Sequence, residues 1–291
     1  MGADMCKKVF ILGTGRCGTV TLFDILSTVP GVVCTHEGRV FSKNGAHIGD
    51  LGKMFDITRY IYYDDLRNSN VKYKNSKKFS KKHKRLRVHK LMDIEFFNRD
   101  IFMKTLGDDV VYCDINPYGF NHISYIYNKY PDAKFIHVIR NGPDVVRSYF
   151  LRKSTYPESK REHEYSLYES GKPRPTSDDP YFSEWTSMSK LKKTSWFWQY
   201  VNNDIQDRLS VVPEENKMLF KIEDLSNESV VNILNFIGAS GSASHWSEIL
   251  DCSIRSNVTP SCSKRAFNWN PRKCKIFRGI CGDTMKRLGY E

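Results

Sequence analysis

The chain of 291 residues carries 45 Lys+Arg against 33 Asp+Glu, with 40% hydrophobic and 13% aromatic residues, which supports a sizeable core and excludes a disordered or fibrous chain. No window approaches the roughly 18 uninterrupted apolar residues of a membrane span, and residues 1–8 lack the apolar stretch of a signal peptide, so a cytoplasmic protein is expected. Gly2 marks no myristoylation site, because Cys6 stands where that motif takes Ser or Thr.

The elements alternate strand and helix. Residues 8–12 form a short apolar strand pattern that runs into Gly13-Thr14-Gly15-Arg16-Cys17-Gly18-Thr19, followed by the helical period of Leu22, Phe23, Ile25 and Leu26. Residues 32–34 read as a strand, 91–106 as a helix, 110–113 as a strand and 120–130 as a helix ended by Pro131. A strand over 134–139 and a helix from Pro143 follow; proline suits a first helical turn because no N–H is needed there. Beyond a polar stretch at 154–184 come an aromatic helix over 187–209, a strand over 217–222 and a helix over 228–237. This order implies an α/β fold of three layers, a central parallel sheet with helices on both faces, in one domain over 1–291.

Two further features bound the chemistry. Eight cysteines lie scattered without a CxxC pair or zinc-finger spacing, which reads as free thiols in a reducing compartment, and the sequons at Asn227 and Asn257 are short enough to arise by chance. The basicity is local: ten Lys/Arg and no acid fall between Lys72 and Lys90, leaving 35 against 33 elsewhere. The segment at about 67–90 therefore reads as a basic insertion, either a solvated loop or an arm that attracts anions.

The first glycine loop binds phosphate on any reading, since a helix N-terminus presents unpaired N–H groups and the positive end of the helix dipole. A nucleoside-triphosphatase loop is excluded, because Gly18 is followed by Thr19 and Val20 where that loop has Lys and then Ser/Thr. The dinucleotide fingerprint G-x-G-x-x-G is met by Gly13, Gly15 and Gly18, with Glu37 about 20 residues on, so an NAD(P)-dependent oxidoreductase is one alternative. A nucleic-acid binder resting on the basic run alone is another, and nucleic acid is not the expected partner.

Gly15-Arg16-Cys17-Gly18-Thr19 also resembles the donor loop of the sulfotransferases, with Val20 in place of the usual second hydroxyl and Thr21 next to it. Arg140, ending the strand over 134–139, and Ser148, two helical turns on, resemble that family's element for the 3′-phosphate of 3′-phosphoadenosine 5′-phosphosulfate (PAPS). The 15–40 segment, with Pro30, Cys34, Glu37 and Arg39 in register, and the 134–150 segment look most like the protein-tyrosine sulfotransferases. Lys221-Ile222-Glu223-Asp224-Leu225 resembles an acidic turn of the wider family, with Ile222 where Tyr is usual, and 281–290 looks like its C-terminal helix. Two departures stand out: Ile115 replaces the catalytic lysine of the tyrosyl enzymes, and the basic insertion is no part of their pattern.

The resemblance implies a P-loop-like sulfotransferase fold and transfer of a sulfuryl group from PAPS, leaving adenosine 3′,5′-bisphosphate (PAP), to a hydroxyl or amine acceptor, with no metal required. It assigns Gly15, Arg16, Cys17, Gly18, Thr19, Val20, Thr21, Arg140 and Ser148 to the donor, with Lys264 and Arg265 in a late loop that closes over the 3′-phosphate. Arg16 is the candidate for stabilising the leaving group and Glu37 the candidate base, following a strand that ends at the ligand-binding edge. His36 is the alternative base, and since neighbours on an extended chain face opposite ways only one of the two should enter the site. His36, Arg39 and His89 are candidates for the acceptor pocket, and the basic run points to an acceptor that is anionic. His137, within an apolar strand, and the aromatic run from Trp196 read as core.

Overall fold

The computed structural model describes residues 6–41, 47–50, 88–117, 119–151, 156, 173–239 and 269–290. Most of the basic run, together with Lys264 and Arg265, lies outside the described residues. Strand β1 (Lys7–Gly13) pairs in parallel with β5 (Val111–Ile115) on one side and β6 (Lys134–Ile139) on the other. β2 (Val32–His36) extends the sheet beyond β5, and β7 (Lys217–Lys221) beyond β6, both parallel.

Two short strands were not foreseen. β3 (Arg39–Phe41) turns back antiparallel on β2, and β4 (His47–Asp50) pairs antiparallel with β3, so the seven-stranded sheet is mixed, in the order β4-β3-β2-β5-β1-β6-β7. The reason is local: Glu37 and Gly38 both have positive φ, 52° and 77°, the signature of the type I′ turn that joins two strands of a twisted hairpin.

Alternation along the strands sorts side chains into two cores. Val9 and Ile11 face the layer of α1 (Thr19–Leu26) and α6 (Asn227–Ile237), which contribute Leu22, Ile25, Ile233 and Ile237. Phe10 and Leu12 face the layer of α2 (Val88–Lys104), α3 (Ile123–Lys129), α4 (Gly142–Phe150), α5 (Lys190–Leu209) and α7 (Pro271–Arg287). The aromatic run sits in this second core, Trp198 fully buried and Phe197 edge-on to Tyr149 at 5.3 Å between ring centroids. α7 starts ten residues before the expected tail, Asn270 capping it through the Lys273 N–H at 3.0 Å. Among the described residues no helix is long and apolar enough to cross a membrane.

A buried ion pair ties α2 to the sheet. Arg99 Nε donates to Asp114 Oδ2 at 2.6 Å with both residues fully buried, and Tyr112 Oη, 3.1 Å from Thr35 Oγ1, donates to the same oxygen at 3.4 Å. Losing either charge would leave the other stranded in a medium that cannot solvate it. The six described cysteines, Cys6, Cys17, Cys34, Cys113, Cys274 and Cys281, are free thiols.

His137 is the core histidine its strand implied. Asn202 Nδ2 donates to Trp198 O at 2.8 Å, which leaves Asn202 Oδ1 to accept from His137 Nε2 at 3.0 Å. Burial pushes the imidazole down from 6.5 to about 4, so between these values the unfolded chain takes up a proton that the native state refuses. Stability is therefore full above pH 6.5 and lost as pH falls towards about 4, by about 3 kcal/mol. In His137→Gln, thermal melting followed between pH 7 and 4.5 should show that much less acid sensitivity; an identical pH slope in variant and parent would refute the assignment.

Candidate functional site

β1 delivers the glycine loop to the carboxyl edge of the sheet, where the backbone turns left-handed three times. φ is 68° at Gly15, 59° at Arg16 and 100° at Gly18. Gly15 lies so close to Tyr149 that an added Cβ would fall 2.5 Å from the phenolic oxygen, and Tyr149 Oη donates to Thr14 O, pinning the loop to α4. At Gly18 a Cβ would fall 2.4 Å from Ile222 Cγ1, in the turn that follows β7. Gly18 is the N-cap of α1 and provides no side-chain cap, and Asn141 likewise leaves the start of α4 without one. By contrast α5, α6 and α7 are capped by Ser189, Ser226 and Asn270.

The two motifs, far apart in sequence, meet here. Arg16 Nε donates to Ser148 Oγ at 3.1 Å, and Arg140 Nη1 donates to Arg16 O at 3.3 Å across 124 positions. Two guanidinium groups, a hydroxyl and two helix N-termini without side-chain caps thus gather at one edge of the sheet. Such a cluster favours a multiply charged anion, to which the guanidinium forks donate paired hydrogen bonds.

The other expected residues fall as follows. Cys17 is buried beneath the loop and burial pushes its thiol up, so its side chain belongs to the core. Thr19 is buried, Thr21 is partly buried and Val20 is half exposed. Glu37 occupies the β2–β3 turn, with its N–H donating to Ile115 O at 3.0 Å, which anchors it beside the end of β5. Since Glu37 is left-handed, the alternation expected to separate it from His36 does not run through it. His36 packs against Phe23 of α1 at 5.6 Å between centroids, and its Nε2 has no hydrogen-bond partner among the described residues. Burial pushes His36 below 6.5, against the nearby Glu37 carboxylate. Arg39 pairs across the turn with His36 and is partly buried. Ile115 is fully buried on the α1 side of the sheet. His89 lies in the first turn of α2; its side chain and the residues Lys264 and Arg265 fall outside what is described.

Several supporting residues escaped the sequence reading. Tyr149 carried no signal of its role, and Trp198, which reads as core by its spacing, donates from its indole to Arg140 O at 3.2 Å. Glu223 accepts the Asn141 N–H at 2.7 Å. Nothing in the periodicity of these segments signals such bonds, because each joins elements distant in sequence.

Residues 8–172, more than half of the chain and spanning both motifs, match the Sulfotransferase family. The chain belongs to the sulfotransferase family. Sulfotransferase STF9 from Mycobacterium avium is similar in fold, with TM-score 0.50 and 11% identity over 99% of this chain and 78% of that one. A mouse sulfotransferase crystallised with PAP has TM-score 0.47 and 11% identity, over 96% and 85% of the two chains. The sulfotransferase domain of a Synechococcus olefin synthase has TM-score 0.42 and 13% identity, over 97% of each. No curated protein matches the chain by sequence.

The packing at Gly18 makes a sharp expectation for this sulfotransferase. Gly18→Ala adds left-handed strain, roughly 1–2 kcal/mol, to a clash with Ile222 worth about 1–3 kcal/mol. Adding Ile222→Ala should recover the clash but not the strain, so the double variant should melt between the parent and Gly18→Ala once the Ile222→Ala single variant is subtracted. Simple additivity of the two changes would show that Ile222 does not press on the loop.

Proposed function

We propose that the protein transfers a sulfuryl group from PAPS to a hydroxyl or amine acceptor by in-line displacement. The observation that carries this reading is the convergence of Arg16, Arg140 and Ser148 on one glycine loop. An NAD reading has no use for a second anion element, and the 2′-phosphate of NADP is expected near the residue about 20 positions past the loop rather than at Arg140, whereas a donor phosphorylated at both 3′ and 5′ positions uses both elements. PAPS supplies the activated sulfuryl group: sulfur gains a bond to the acceptor oxygen or nitrogen as its bond to the 5′-phosphate oxygen breaks and PAP departs.

The chain's own residues divide the remaining work. The N–H groups of 15–19 and the Arg16 guanidinium hold the 5′-phosphate and stabilise its charge as it leaves, in place of the lysine that Ile115 replaces. Arg140 and Ser148 hold the 3′-phosphate, and Lys264 and Arg265 are assigned to it by the family resemblance alone. Glu37 takes the acceptor's proton. Among the described residues Arg16 and Glu37 are the two non-glycine residues with positive φ, and such strain persists where the surrounding structure enforces it, commonly at working sites. His36 is the second reading for the base, favoured by its unpartnered Nε2 and its lowered proton affinity. Arg39 and His89 are assigned to the acceptor, and the basic run at 72–90 attracts an anionic acceptor in a cytoplasmic setting.

PAP at about 100 times its dissociation constant should raise stability by roughly 2.7 kcal/mol in a thermal-shift experiment, with NADPH and ATP far less effective. Arg140→Ala and Ser148→Ala each remove a partner of a charged phosphate worth about 1.5–3 kcal/mol, so the Kd for PAP should rise roughly ten-fold or more, the arginine costing more. Equal stabilisation by NADPH, or unchanged PAP affinity in both variants, would return the loop to the dinucleotide class.

For the base, Glu37→Gln should leave PAP affinity intact while slowing transfer by about 100- to 10,000-fold, measured in reverse from an activated aryl sulfate to PAP. If His36→Asn is the slow variant and Glu37→Gln is not, the histidine is the base.

A further inference from the structure

The turn after β7 touches both halves of the anion site. Ile222 presses on Gly18 of the glycine loop, and Glu223 Oε1 accepts the Asn141 N–H at 2.7 Å. That N–H belongs to the peptide unit joining Arg140 to Asn141, whose carbonyl, Arg140 O, accepts the Trp198 indole N–H at 3.2 Å. The unit is therefore gripped at both ends, by Glu223 and by Trp198. Holding a peptide plane fixes the ψ of the residue before it, and ψ sets the direction in which the Arg140 side chain leaves the sheet edge.

Glu223 is in turn held by the end of the chain. Tyr290 Oη donates to Glu223 Oε2 at 3.0 Å, and Lys221 Nζ, in β7, donates to Gly289 O at 2.7 Å while lying 4.9 Å from the Tyr290 ring centroid. Burial and the neighbouring Glu223 and Asp224 carboxylates raise the phenol's proton affinity, so it stays a donor across the physiological range.

A carboxylate beside a site for anions is electrostatically costly, since it repels the charge that the arginines attract. Its presence calls for a compensating role. Building on the donor reading above, we propose that Glu223, held by Tyr290, is a positioning residue that aims Arg140 at the 3′-phosphate. The C-terminal residues thereby act on the donor site from behind, without touching the donor.

Electrostatics and positioning predict opposite signs, which makes the test decisive. Kd values for PAP and for adenosine 5′-monophosphate, which lacks the 3′-phosphate, are measured by titration calorimetry on the full chain and on Glu223→Ala, Glu223→Gln and Tyr290→Phe. Glu223→Ala should weaken PAP about ten-fold while changing adenosine 5′-monophosphate less than about two-fold. Glu223→Gln, whose amide oxygen still accepts the Asn141 N–H, should restore most of the affinity, and Tyr290→Phe should fall between parent and Glu223→Ala. Unchanged or tighter PAP binding in Glu223→Ala, or an equal loss for both nucleotides, overturns the proposal. If Glu223→Ala does not fold, Tyr290→Phe decides by the same ratio of the two Kd values. A parent chain that binds PAP no better than adenosine 5′-monophosphate refutes the donor reading itself, a result distinct from a parent that prefers PAP and variants that keep the preference.

Discussion

When β1 and β6 lie side by side in the same direction, both strands must leave the sheet at the same edge, and the register decides what meets there. Gly13 is paired with Val138, so the glycine loop beginning just beyond Gly13 comes level with Arg140, two residues past Val138. The Arg140 bond to Arg16 O and the Arg16 bond to Ser148 follow from that alignment. A shift by one residue would turn Ile136 and Val138 out of the α1-side core and take Arg140 away from the loop, so packing on one face enforces the geometry of the site.

The loop itself is held against its own preference. A left-handed Arg16 costs roughly 1–2 kcal/mol relative to an ordinary backbone. Support comes from Tyr149 on Thr14 O, from Ile222 against Gly18, and from Cys17 turned into the core between β1 and α1. A rigid cluster of cations and N–H groups on a sheet edge would lose little conformational freedom on taking up an anion.

The same logic extends to the base candidate. Glu37 is left-handed because a two-residue turn must reverse β2 into β3, and its N–H continues the ladder to Ile115 O past the end of β2. Beneath it, the Arg99–Asp114 pair and the Tyr112–Thr35 contact lock α2, β5 and β2 together, so the edge that bears Glu37 rests on a buried polar anchor as well as on apolar packing.

Much of this was legible in the sequence. Apolar runs of strand length, the helical period after Thr19, and prolines at 131 and 143 determined the order of elements, because periodicity and backbone restriction act over a few residues and leave their mark locally. The loop glycines and Arg16 stood out as a candidate phosphate loop because an anion at a helix N-terminus needs a stereotyped local pattern, while Arg140 and Ser148 stood out through the family resemblance. The tertiary structure alone decided the β3–β4 hairpin, the left-handed placement of Glu37 that freed it from strand alternation, and the grip of Tyr149, Trp198, Glu223 and Tyr290 on the site. Each of those bonds spans from 58 to 135 positions, and a bond between distant residues leaves no period for a local pattern to reveal.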